Sequence, residues 1–190
     1  MMRLIWIAIL LLPLTVCSQS ICPCHFKSFV SVGAIGGQHE IKTMTQLSGG
    51  VTYDQGMFYT GIGVGIDPYR FNSVPLFADV RINFGKKKNG FVYGNLGYNI
   101  PYDNNSEENP FAFKITDRFH GGVYTDAGIG YRLRVKGKGR LLLSAGHSYK
   151  RISNVQTTRY IWCPTCDIEK FTYRYSFNRI VAKLSLEFGK

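Results

Sequence analysis

Short segments in which apolar side chains alternate with glycine or polar ones recur along this 190-residue chain and restrict the folds that it can adopt. In the segment 58–66, Ile62 and Val64 fall on one face, and Gly61 and Gly63 fall on the other. Successive side chains of a β-strand point to opposite faces of the sheet. The alternation therefore predicts strands, each with one apolar face.

The spacing of these segments predicts how many strands there are and how they connect. A strand that crosses a bilayer in a barrel needs about 9–11 residues, and such barrels have short turns at one end and longer loops at the other. Short turns and long loops alternate along this chain. We therefore predict an all-β fold, an eight-stranded antiparallel up-and-down transmembrane β-barrel, with the termini and the short turns on the periplasmic side. The predicted strands are 28–36, 44–53, 58–66, 76–84, 92–100, 123–135, 141–150 and 171–188, the short turns are 54–56, 86–89 and 136–139, and the extracellular loops are 37–43, 67–73, 101–119 and 152–170.

The apolar face of each strand is predicted to meet lipid, while the glycine-rich and charged face lines a crowded lumen. Two places leave the register open. Leu142 interrupts the polar face of its strand near the turn 136–139. The segment 171–177 puts aromatic residues on the lumenal face, so it either contains a bulge or stands above the bilayer.

The first 18 residues have the features of a secretory signal peptide. Arg3 supplies a positive charge, and the apolar run 4–12 is too short to span a bilayer as a helix. Residues 16–18 form a small-residue cleavage site, which would leave the barrel domain at 19–190. A lipoprotein with Cys17 acylated is the alternative hypothesis.

The net charge is +11 from 23 basic and 12 acidic residues, and loss of Arg3 with the signal would leave +10. A basic surface favours solubility and attraction to anionic lipid headgroups. Because the chain is predicted to be exported, we expect outer-membrane lipids as partners and no nucleic acid.

Charges of both signs fall on the predicted lumenal face. Buried charges must be paired or solvated, and an eight-stranded barrel is only just wide enough for its own side chains. A salt-bridged plug is the preferred hypothesis, and a narrow passage that favours anions is the alternative. The predicted lumenal charges are Asp79, Arg81, Asp126, Arg132, Arg134, Arg179, Lys183 and Glu187.

Two close pairs of cysteines raise the question of a metal site. Cys22 and Cys24 lie near the mature N-terminus, and Cys163 and Cys166 lie in the last predicted loop. The predicted topology separates the pairs by a hydrocarbon core of about 30 Å, which argues against a shared zinc site. Export favours disulfides, so a Cys163–Cys166 loop disulfide is the preferred hypothesis, with free or metal-binding thiols and redox catalysis as alternatives.

No catalytic, cofactor or metal site is predicted. The four histidines lie on different predicted strands or loops without metal-ligand spacing, and no nucleophile motif surrounds a serine. We therefore expect a protein that is not an enzyme.

Four segments resemble the small outer-membrane β-barrel proteins of Gram-negative bacteria, of the eight-stranded, OmpX-like or porin-like type. They are 61–67, 74–81, 126–131 and 184–188. The last is similar to the final strand that such proteins offer to the barrel-assembly machinery, so the resemblance implies this machinery as a partner during biogenesis. It carries over no catalytic residues.

The sequence thus predicts a monomeric, non-enzymatic outer-membrane barrel, with a structural or surface-interaction role through its extracellular loops and a ligand of unknown identity. The alternative is a narrow pore or small-ligand carrier across the outer membrane. A third hypothesis is a soluble periplasmic barrel of lipocalin type, in which the apolar face would line the lumen.

Overall fold

The structure, a computed structural model, describes residues 25–37, 40–86, 88–102, 106–109, 113–134, 139–160 and 169–189. Ten strands run through these residues. They are β1 (Phe26–Gly37), β2 (Glu40–Asp54), β3 (Phe58–Ile66), β4 (Ser73–Phe84), β5 (Gly90–Pro101), β6 (Ser106–Asn109), β7 (Phe113–His120), β8 (Gly122–Arg134), β9 (Gly139–Tyr160) and β10 (Glu169–Phe188). Within the described ranges, no helix is long and apolar enough to cross a membrane.

Eight of the strands close into an antiparallel barrel in the order β1, β2, β3, β4, β5, β8, β9, β10. The closure is made by the first and last strands, with Val32 opposite Leu184. The predicted fold class is therefore confirmed. We call the end with the β2–β3, β4–β5 and β8–β9 connections the turn end, and the opposite end the loop end.

Three of the predicted loops are wrong in extent, because the strands at the loop end continue beyond the barrel. β9 runs on to Tyr160 and pairs with β10 on one side and with β7 on the other. β6 and β7 form a hairpin inside the predicted loop 101–119. β1 and β2 pair as far as Gly37 and Glu40, so the predicted loop 37–43 is a short connection. We call the extension formed by β6, β7 and the upper parts of β9 and β10 the loop-end sheet.

The barrel is apolar outside, and its interior is lined mainly by polar and charged side chains. Large apolar side chains cover the exterior, with Ile62 70% exposed and Ile180 73% exposed. An exposed apolar surface of this extent marks contact with a membrane or another apolar surface. This arrangement is the reverse of a lipocalin-type soluble barrel, so that hypothesis is wrong.

Both open questions of register are answered by the β9–β10 and β8–β9 pairs. Leu142 lies opposite Arg132, is 1% exposed, and points inward without disturbing the alternation. β10 pairs with β9 from Glu169 to Phe188 without a shift. The aromatic segment 171–177 therefore has no bulge, and it belongs to the loop-end sheet.

Large inward side chains fit because glycines stand opposite them. Phe77 points at Gly63, where an added Cβ would lie 2.5 Å from Phe77 Cζ. Phe77 packs with Phe29 and Tyr124 in the lumen, while Phe91, Tyr93 and Leu142 form a second apolar cluster. The glycine at position 63 of β3 thus makes room for the inward Phe77 of the neighbouring strand β4.

Candidate functional site

Asp67, Lys150 and Arg179 form a buried ion cluster at the loop end of the lumen. Arg179 Nη1 lies 2.6 Å from Asp67 Oδ2, and Lys150 Nζ lies 3.5 Å from Asp67 Oδ1. Arg179 Nη2 also donates to Ser148 Oγ at 2.8 Å. All three charged side chains are fully buried. One carboxylate therefore compensates two cations that would be costly to bury alone.

The loop between β3 and β4 is held across the loop end by Lys150. The Lys150 ammonium group donates to the carbonyl oxygens of Asp67, Tyr69 and Phe71 at 3.4, 3.2 and 2.8 Å. Tyr69 is buried against Ile35 and Val181 inside the lumen. This loop therefore acts as a lid over the barrel.

Asp126 is the centre of a second polar layer, near the middle of the barrel. Its carboxylate forms an ion pair with Lys183. It accepts hydrogen bonds from Tyr93 Oη at 3.1 Å and from Tyr124 Oη at 3.3 Å, and Gln46 Nε2 donates to Tyr124 Oη at 3.1 Å. These groups come from four strands, so the layer spans the lumen.

Glu187 is the centre of the third layer, at the turn end. Four cationic groups lie 3.7–3.9 Å from its oxygens, and they belong to Lys27, Arg81, Arg132 and Arg140. The Glu187 carboxylate is buried, and neither oxygen accepts a hydrogen bond from the described residues. The Glu187 carboxylate thus balances the four surrounding cations at distances longer than those of direct hydrogen bonds.

Two more carboxylates take up part of the positive charge at the turn end. Asp79 Oδ2 lies 2.7 Å from Arg81 Nη2. Asp54 pairs with Lys27 and accepts hydrogen bonds from Tyr59 Oη at 2.8 Å and from the Gly56 amide at 2.7 Å. Because Asp79 and Asp54 already have close cationic partners, they leave Arg132 and Arg140 to share Glu187.

Little space remains between the second and third layers. A cavity of about 20 Å³ lies there, lined by residues that include Phe29, Arg81 and Lys183. A space of this size holds about one water molecule. Side chains therefore occupy most of the lumen between these two layers.

The loop-end sheet carries a row of aromatic rings, which we call the aromatic face. Phe171, Tyr173, Tyr175 and Phe177 alternate along β10, and the ring centroids of the successive pairs from Tyr173 onward are 6.5 and 6.3 Å apart. The lid contributes Phe71, whose ring lies 5.1 Å from that of Tyr175. Phe171 and Tyr173 remain 47% and 43% exposed. The aromatic face thus extends from the closed lumen into solvent.

The structure distributes the proposed lumenal charges over all three layers. Asp79, Arg81, Asp126, Arg132, Arg179, Lys183 and Glu187 lie inside the barrel. For Arg134 the structure describes only the backbone, which pairs with Arg140. The signal segment 1–18 and the proposed Cys163–Cys166 disulfide lie outside the described residues.

Sequence reasoning left three charged residues out of the lumenal set. Asp67 falls in a predicted loop, and Lys27 precedes the predicted start of its strand. Lys150 continues the polar face of 141–150, and this alternation was the signal that could have included it. Among the described residues, no group of three or more His, Cys, Asp or Glu side chains is arranged to hold a metal ion.

No family model matches the chain, and no curated protein matches it in sequence. Solved structures match it in fold. The outer membrane protein AlkL, determined in DMPC lipid bilayers, aligns with a TM-score of 0.52 at 8% identity, over 90% of this chain and 92% of AlkL. The chain has the fold of a small outer-membrane β-barrel. A major outer membrane protein from Thermus thermophilus aligns with a TM-score of 0.51 at 15% identity, over 86% of this chain and 98% of that protein.

Proposed function

We propose that the protein is a non-enzymatic, monomeric barrel of the outer membrane, with a sealed lumen and an interaction surface at the loop end. The apolar exterior would contact outer-membrane lipids, and the barrel-assembly machinery would insert the chain. In this orientation the turn end faces the periplasm and the loop-end sheet faces the outside. We expect no enzymatic activity, because most of the buried charges of the lumen are paired with one another.

The sealing of the lumen carries this proposal. The lid, the Asp126 layer and the Glu187 layer cross the barrel in succession, and the cavity between the two lower layers has room for about one water molecule. A solute that passed through the lumen would have to break buried ion pairs, and removing one partner of such a pair costs about 3–5 kcal/mol. If the lumen is sealed, the side chains that can reach a ligand lie at the two ends of the barrel.

The aromatic face supports a surface role. Exposed aromatic rings beside polar groups are enriched at protein interfaces. Gln156, which is half-buried, lies opposite the exposed Phe171 on the paired strand β9. The loop-end sheet therefore presents exposed rings beside a polar side chain, which suits an extracellular ligand.

Ion conductance of the refolded 19–190 chain in a planar bilayer tests the sealed lumen. We expect a folded, heat-modifiable protein that gives no current steps. The matched variants are Arg81→Gln, which changes the lumen, and Arg174→Gln, which changes an exposed arginine of the loop-end sheet.

The alternative function, a narrow pore that favours anions, rests on the excess of lumenal cations over carboxylates. Reproducible steps in the unmodified protein that become smaller in Arg81→Gln, but not in Arg174→Gln, would establish the pore and contradict the sealed lumen.

A further inference from the structure

A second cavity, of about 210 Å³, opens at the turn end below the Glu187 layer. Arg132, Arg140 and Lys88 line it, together with Asn83, Asn89 and Tyr59. A space of this size has room for several water molecules. It is about ten times the volume of the cavity above it, so the packing that seals the lumen does not extend to this end.

Arg132 is built into the wall of this cavity with part of its hydrogen-bonding capacity unused. Its side chain is 5% exposed. Its Nη1 donates to Asn83 Oδ1 at 3.1 Å, and its guanidinium carbon lies 4.9 Å from the Tyr59 ring centroid. Its Nε and Nη2 groups have no hydrogen-bond acceptor among the described residues. Asn83 and Tyr59 thus hold the guanidinium in a fixed orientation, and its positive charge stays at the wall of the cavity, where it favours an oxyanion.

The charges around the cavity are unbalanced. Arg132 Nη2 and Arg140 Nη1 lie 3.9 and 3.7 Å from Glu187, which they share with two other cations. Lys88 has no carboxylate partner among the described residues. Its ammonium group lies beside Gly56, where an added Cβ would be 3.9 Å from Lys88 Nζ. Asp54, the acid that lines the cavity, is paired with Lys27. Two cations of the wall therefore share Glu187 with other cations, the third has no carboxylate partner among the described residues, and the wall carries excess positive charge.

We propose that this cavity binds a phosphate group, held by Arg132, Arg140 and Lys88. The planar fork of arginine matches the oxygens of phosphate, and lysine adds a mobile point charge. A dianion would balance the excess positive charge of the wall. The phosphate has two sources at this end of the barrel, a soluble phosphate ester or the headgroup of an anionic lipid.

Calorimetric titration of the refolded protein with inorganic phosphate tests the site. The protein is held in a non-ionic maltoside detergent, and sodium chloride of equal ionic strength is the reference. We expect saturable binding of phosphate, weakened about tenfold or more in Arg140→Gln and in Lys88→Gln. Arg140 is 41% exposed and Lys88 is exposed, so both variants are expected to fold.

Arg174→Gln is the matched control, because it removes an exposed arginine from the opposite end of the barrel, and it is expected to bind phosphate as the unmodified protein does. Equal heats from phosphate and chloride, or equal phosphate affinity in all three variants, would overturn the site. Competition by phosphatidylglycerol added to the micelles would assign the site to a lipid headgroup, and its absence would assign the site to soluble phosphates. Neither result depends on whether the barrel conducts ions.

Discussion

At the scale of single residues, the lumen depends on carboxylates that each serve more than one partner. Asp126 joins Lys183, Tyr93 and Tyr124. Asp67 joins Lys150 and Arg179. Because an unpaired charge in the interior costs far more than a pair contributes, loss of a shared carboxylate is expected to affect stability more than loss of one of its partners.

Asp126→Ala is predicted to lower the free energy of unfolding by about 3–5 kcal/mol, since it leaves the Lys183 ammonium group buried without a counter-charge. Urea unfolding of the refolded barrel in detergent measures this effect. The double variant Asp126→Leu/Lys183→Met removes both charges and is predicted to be closer to the unmodified protein. A double variant as unstable as Asp126→Ala would show that the charge pair is not the cause.

At the scale of the strand, alternation determines which residues meet lipid. The alternation of apolar and polar residues correctly predicted which side chains of β3, β4, β5 and β10 face outward. It could do so because a register slip of one residue would turn every apolar side chain of a strand toward the lumen. Strand length was harder to predict. The hydrophobic alternation ends near residue 150, but β9 continues to Tyr160 through polar residues that are paired with β7 and β10. The upper part of β9 is therefore held as a strand by pairing with its neighbours and not by contact with lipid.

Ile129→Arg is predicted to destabilise the inserted barrel by about 2–4 kcal/mol, the cost of arginine on the lipid face near the bilayer midplane. Ile129 is 64% exposed on the outer face of β8. Equilibrium unfolding from lipid vesicles measures the difference, with Ile129→Val as the apolar control. An arginine variant as stable as the valine variant would contradict contact between this face and lipid.

At the scale of the whole molecule, the two ends of the barrel differ in chemistry. The turn end collects cations around Glu187, and the loop end carries the lid and the aromatic face. Alternation indicated that Arg81, Arg132 and Glu187 point inward. The inward fold of the lid was not predictable, because residues 67–73 have the composition of an ordinary solvent-exposed turn, and the position of Tyr69 depends on Lys150, which is distant in sequence.

Labelling of intact cells tests the orientation of these ends. In a background in which the five cysteines are replaced by serine, Tyr173→Cys is predicted to react with a membrane-impermeant maleimide, and Lys86→Cys is predicted to react only after the outer membrane is permeabilised. Both positions are exposed, so a difference reports the side of the membrane. The opposite pattern would invert the proposed topology.

The clamp on the lid also orders events in time. Lys150 follows Phe71 by 79 residues, and Arg179 follows Asp67 by 112. Contacts that are local in sequence therefore do not hold the β3–β4 loop down, and its closure requires β9 and β10 to be paired in the barrel. Until β9 and β10 are in place, Asp67 has neither of its counter-charges. Closure of the mouth thus marks a completed barrel, and an assembly intermediate in which β9 and β10 have not yet paired is expected to leak more than the finished protein.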